Sequence, residues 1–320
     1  INVLGWRRPG PVSAIITYLF VALIALTIVT GSVREVLSGL PVYQPLHYAG
    51  AVPVHQGNGL VMGATVLVVL RAFANGGSSL TGVEAAADTA DVFREPKGLN
   101  AGRALTVMAV VLGLLLLGVA WLAHATHAAP YIHEYPSVLS QVVRAVFGRG
   151  PLGRLLYLLV MAATAAILLA GANTGVHRFS ALASVVFKNQ ALPQPPTNRV
   201  DRGVLVSGIV LATLSIILLL LTEGFVTFLL PIYAIPVFVA FAMTGYAMTK
   251  HHSTHRERGW SHKLAISLIA GILSSIVVAI FAVTKFVEGA WFVIFVFLVL
   301  VPVLILLNRR RAVPTERMRR

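Results

Sequence analysis

The chain has 320 residues and no cysteine, and its 25 Lys+Arg against 11 Asp+Glu give a formal net charge of +14. Only 11% of residues are charged and 57% are hydrophobic, whereas a soluble domain carries about 25% charged residues. These values exclude disulfide frameworks, thiolate metal sites and cysteine nucleophiles, and they predict an all-α polytopic membrane protein. The basic residues stand between apolar runs, so the positive balance reads as membrane topology rather than nucleic-acid binding.

The chain begins with Ile1 and shows no signal-peptide pattern at its start. Residues 2–10 read as a polar loop leading into a span, and the chain is expected to be a fragment whose earlier spans are missing. A span needs roughly 20 largely apolar residues, and eight are predicted in order. They cover Pro11 to Gly31, Leu60 to Phe93 with an interruption at Asn75 to Ser79, Ala104 to His124, and Leu152 to Asn173. The remaining four cover Val204 to Leu221, Phe225 to Met248 with Pro231 and Pro236 inside, Leu264 to Thr284, and Ala290 to Leu307.

Two further stretches have helical apolar spacing without the length of a span. "YPSVLSQVVRAVF", Tyr135 to Phe147, is expected on the outer surface, most simply as a helix covering the core. "VHRFSALASVVF", Val176 to Phe187, follows the fourth span on the inner side. No soluble-domain boundary is visible, so residues 1–320 read as one transmembrane domain with a basic cytoplasmic tail at 309–320.

The basic residues orient this map. With a cytoplasmic N-terminus, the inner segments hold Arg7 and Arg8, the group Arg94 to Arg103, the group Arg178 to Arg202, the loop Lys250 to Lys263, and the arginine-rich tail. The outer segments hold only Arg34, Arg144, Arg149, Arg154 and Lys285. That asymmetry predicts two cytoplasmic ends.

The second span carries the chemistry. "FANGGSSLTGVEAAADTADVF", Phe73 to Phe93, breaks an apolar run with Gly76 and Gly77, each about 1 kcal/mol poorer than Ala in a helix. Irregular backbone at membrane depth is tolerated only where protein buries it or it lines a cavity. An unwound joint at Asn75 to Ser79 would place free carbonyl oxygens and N–H groups near the midplane, as transporters do at discontinuous helices. Beyond it Thr81, Glu84, Asp88 and Asp91 share one helical face. A carboxylate in a membrane helix is a functional-site hypothesis by default, so Glu84 is assigned to binding or proton coupling. "TGVE" is also a capping box, in which Thr81 caps the second half-helix and Glu84 returns to the cap backbone. Asp88 and Asp91 are expected to meet cytoplasmic water. Arg71, the other intramembrane charge, is expected either to pair structurally or to snorkel.

These residues carry a resemblance. "RAFANGGSSLTGVEA", Arg71 to Ala85, resembles the broken sixth helix of the amino acid–polyamine–organocation superfamily. "LAGANTGVHRFSALASVVFKNQALP", Leu169 to Pro193, is similar to the end of that family's eighth helix and the amphipathic helix after it. His177, Arg178 and Phe179 depart from the usual aromatic-Pro-Arg-Leu continuation. "PIYAIPVF", Pro231 to Phe238, resembles its tenth helix. The nearest branch in character is the KUP-like group of high-affinity potassium importers, which are potassium–proton symporters.

The resemblance implies an inverted-repeat (LeuT-like) fold of five plus five helices and two more, of which this chain would hold helices five to twelve. It implies that Thr81 is a cation-contacting hydroxyl, Glu84 the proton-linked carboxylate, and Tyr233 a tyrosine facing the site. Carbonyls at Asn75, Gly76, Gly77 and Ser78 would contribute ligands. The function expected is secondary active, proton-coupled potassium uptake across the plasma membrane, with no cofactor and no metal beyond the transported potassium. A second copy of the chain is a candidate partner alongside the bilayer. The alternative is a proton- or sodium-coupled amino acid permease, against which an acid beside the joint argues, because it would repel a carboxylate. A non-transporting subunit or embedded enzyme would need polar residues from several spans facing one chamber, and beyond Arg71 and the Glu84 stripe the sequence offers nearly none. The histidines of "KHHSTHRERGW", Lys250 to Trp260, lack a carboxylate or cysteine to complete a metal set and read as a solvated loop.

Overall fold

The computed structural model describes residues 10–42, 66–80, 93–131, 133–188, 200–256, 259–299 and 302. Among them the regular elements are all helical. They are α1 (Gly10–Ser38), α2 (Val66–Gly77) ending in a 3₁₀ turn (Ser78–Leu80), α3 (Lys97–Ala125), α4 (Val138–Phe147) and α5 (Pro151–Lys188). Then come α6 (Val200–Leu221), α7 (Val226–Thr254), α8 (Trp260–Thr284), a π-helical turn (Phe286–Ala290) and α9 (residues 291–299). Five stretches are long and apolar enough to cross a membrane: Val12–Ser38, Lys97–Ala125, Pro151–Gly175, Val226–Thr254 and Trp260–Thr284. Their outward side chains include Ile15, Leu117 and Leu168, all about two-thirds exposed or more. Water would not tolerate that much apolar surface on a monomer, whereas lipid covers it at no cost. The chain is a multi-pass, all-helical membrane protein.

Helices extend past the predicted spans wherever polar residues continue the helical path beyond the apolar stretch. α1 runs on through Arg34 and Glu35, α3 starts at Lys97, and α7 continues to Thr254. One expectation is corrected outright. The fourth span and the amphipathic stretch after it form one helix of 38 residues, α5. Gly171 and Gly175 cost it about 1 kcal/mol each, and no proline interrupts it after Pro151.

The chain divides into two compact units. In the first, α1, α3, α4 and α5 pack through small residues. A side chain at Gly118 would meet Ile28 at 2.7 Å, and one at Gly31 would meet Leu122 and Val146 at 2.8 Å. Glycine at these points lets helices approach closely, which is how helices associate without a hydrophobic driving force. α4 is short and amphipathic, and it lies in the core rather than on a surface. Val142, Val143 and Val146 are fully buried against Ile24, Leu122 and Val160.

The polar groups of this unit bond internally. The Gln141 amide donates to Ala129 O at 2.7 Å and Pro136 O at 3.1 Å, and its carbonyl accepts from Ala129 N at 3.3 Å. Ser140 and Tyr157 share a 2.9 Å hydroxyl–hydroxyl bond, and Arg144 lies 4.9 Å above the Tyr157 ring. Arg34 donates to the Val146 carbonyl in the last turn of α4, where a cation meets the negative end of the helix dipole. Ser137 caps the other end through Ser140 N.

The second unit is built on α7 and α8. A Cβ on Gly245 would fall 2.7 Å from the Gly271 backbone and 2.9 Å from Ser267 O. The two helices therefore touch backbone to backbone. Tyr246 and Ser275 close the contact with a 2.9 Å hydroxyl bond. Ala234, Ile235, Phe238, Val277 and Phe281 form the buried core, with Ala74 of α2 and Ala290 and Val293 beyond the π turn. Gly289, at φ +118, makes the turn possible where L residues are strained.

Candidate functional site at the end of α2

The predicted unwound joint is helical in its first half. Asn75, Gly76 and Gly77 complete α2, and Ser78 to Leu80 tighten into a single 3₁₀ turn. The serines explain the tightening. Ser78 Oγ donates to Asn75 O and Ser79 Oγ donates to Gly76 O, each at 2.6 Å. The last carbonyls of a helix lack backbone donors, and a hydroxyl three residues on supplies one locally. The Asn75 and Gly76 carbonyls thus each carry one hydroxyl bond. A carbonyl oxygen has two lone pairs, and a serine hydroxyl occupies one on each.

Neighbouring side chains fix the position of this helix end. Ala74 is fully buried in the α7–α8 core. Gly77 faces Phe238, whose Cζ would sit 3.2 Å from an added Cβ. At the other end Arg71 Nη2 donates to Thr284 O, the last residue of α8, at 3.2 Å. Arg71 thus ties two helices through a backbone carbonyl, where the sequence predicts a buried carboxylate or the headgroups. α2 therefore runs antiparallel to α8, and Gly77 and Leu80 line one cleft with Leu273, Ser274 and Val277 of α8.

Tyr233 lies in α7 between Pro231 and Pro236, and the helix continues through both. Proline lacks an N–H, so Pro236 withholds the usual helical donor from the Ile232 carbonyl beside Tyr233. The buried face of α7 carries Ala234, Ile235 and Phe238, while Tyr233 is 42% exposed. The structure does not bring its hydroxyl into the core that holds α2. Thr81, Glu84, Asp88 and Asp91 lie outside the described residues. Among the described residues no three His, Cys, Asp or Glu side chains are grouped to hold a metal ion.

Sequence reasoning missed one feature. A cleft of about 550 Å³ lies between α2, α7 and α8, lined by Phe73, Gly77, Phe241, Met248, Ile266 and their neighbours. Its signal was legible in the small residues Ser267, Gly271 and Ser275 at four-residue spacing on α8, the pattern that marks close helix packing. The lining is almost wholly apolar, with hydroxyls only from Thr244, Ser267 and Ser274. Such walls cannot replace a cation's hydration shell. The oxygen-rich surface is the turn Asn75 to Ser79 at the cleft's edge.

Against known proteins, one resemblance reaches almost the full chain. It is similar to the potassium transporter KimA of Bacillus subtilis (strain 168). The two are 32% identical over 309 residues, covering 96% of this chain and 48% of KimA. The chain thus spans about half the length of that relative. No family model matches the sequence.

Proposed function

We propose that this chain forms the greater part of the membrane domain of a proton-coupled potassium importer in the plasma membrane, with both its ends cytoplasmic. The observation that carries the reading is the similarity to a potassium transporter along 96% of the chain. The helix end at Ser78 supports it, because backbone carbonyl oxygens are the ligands potassium takes from protein. In this reading the fold is the inverted repeat of the amino acid–polyamine–organocation superfamily, in the KUP-like branch. The chain supplies eight spans as one transport domain and is not an enzyme.

The cation meets backbone oxygens of Asn75 to Ser78 and the hydroxyl of Thr81. Glu84 takes up a proton on one side and releases it on the other. Tyr233, exposed in the described structure, reaches the cation from α7. Since the bilayer offers no water to a bare ion, each of these oxygens replaces part of its hydration shell.

The test is growth of a potassium-uptake-deficient host at limiting potassium, expressing the complete natural protein. Rescue that disappears when the proton gradient is collapsed is expected. Absence of rescue, combined with measurable amino acid uptake, would sink the potassium reading in favour of a permease.

A further inference from the structure

The apolar cleft has a basic rim. Met248 and Ile266 line it near the ends of α7 and α8 that lead into the connecting loop. That loop and the helix ends beside it, residues 250–263, carry Lys250, Arg256, Arg258 and Lys263 against one acid, Glu257. They also carry His251, His252, His255 and His262. Arg256 lies 4.9 Å over the Trp260 ring, and His251 stacks on His255 at 4.6 Å. A tryptophan beside clustered cations at the end of a span belongs to the membrane interface.

From this juxtaposition we infer that the cleft and its rim hold one anionic phospholipid, with an acyl chain between α2, α7 and α8 and its headgroup phosphate at Lys250, Arg256 and Lys263. Depth fits the occupant. Phe238 to Met248 rises roughly 15 Å along α7 at ~1.5 Å per residue, which is one leaflet of a ~30 Å hydrocarbon core. Chemistry fits as well, since apolar walls beneath a cationic rim match an acyl chain beneath a phosphate. This site is separate from the ion reading and does not rest on it.

The experiment places the protein in nanodiscs with Trp6, Trp121 and Trp291 replaced by Phe, so that Trp260 alone reports. Quenching by acyl-brominated phosphatidylglycerol is compared with brominated phosphatidylcholine at equal mole fraction. Phosphatidylglycerol is expected to quench roughly twofold more. The combined variant Lys250→Gln, Arg256→Gln, Lys263→Gln should bring the two lipids to parity. Ala270→Phe, which fills the cleft, should reduce the preference while the rim stays intact. Equal quenching by both lipids in the unmodified rim, or a preference that survives the triple variant, overturns the site.

Discussion

The α4 corner and the end of α2 treat polar groups in opposite ways. At α4 each polar side chain closes on the protein. Gln141 uses both ends of its amide on backbone partners, and Ser140 meets Tyr157. At the end of α2 the Ser78 and Ser79 hydroxyls donate three residues back along their own helix, to the Asn75 and Gly76 carbonyls. Polar groups bonded across elements are architecture, and a cluster of oxygens gathered at one helix end is the place to look for a ligand. Polarity alone did not separate these two regions in the sequence. The destination of each hydrogen bond does.

The largest break to that contrast is Glu84→Gln. Loss of uptake driven by a proton gradient, down to background in a vesicle rubidium-uptake assay, is expected. Undiminished coupling would reduce Glu84 to a helix cap. Next is Gly245→Val, which forces a branched side chain against the Gly271 backbone 2.7 Å away. It should cost about 3 kcal/mol, at the upper end of overpacking, read as a lowered Tm in detergent. Gly113→Ala, where nothing lies within 4 Å, is the control and should leave Tm unchanged or slightly raised.

Gln141→Leu sharpens the architectural side. It strips partners from the Ala129 N–H and C=O in a buried site and should cost about 2 kcal/mol without altering the potassium dependence of uptake. Ser78→Ala should be the mildest for stability, below about 1 kcal/mol, because a single neutral hydrogen bond contributes no more than that order. Its effect belongs in the apparent potassium affinity. A change in Tm with unchanged affinity would place Ser78 with the architecture instead.

Much of this was legible in the sequence. The helical class and the approximate course of the spans followed from apolar runs, because lipid imposes helix on nearly every spanning backbone. Ends were less legible: Lys97 and Thr254 are polar yet helical, and hydropathy cannot report a helix that outlasts its apolar stretch. α5 was read as a span ending at Asn173 and a separate amphipathic stretch, because apolar length and helical spacing do not report that one helix joins them, and a 38-residue helix absorbs the small cost of Gly171 and Gly175. The joint at Asn75 was overstated for the same reason. Gly76 and Gly77 permit unwinding without requiring it, and the two serines decide where the helix tightens. Tyr233 came from resemblance, and its 42% exposure could not be read from the spacing of Pro231 and Pro236. The Gly245–Gly271 contact was written in the spacing of small residues, but only its partner on another helix gave that spacing a meaning.

That contact has a mechanical consequence. Two helices held apart by ordinary side chains can roll or slide, because side chains yield by changing rotamer. Gly245 and Gly271 leave nothing between the backbones that can yield, and the Tyr246–Ser275 bond pins the pair a turn further along. α7 and α8 therefore behave as a single stiff beam. A displacement of either helix carries the other with it, and the Arg71 bond to Thr284 links the pair to α2.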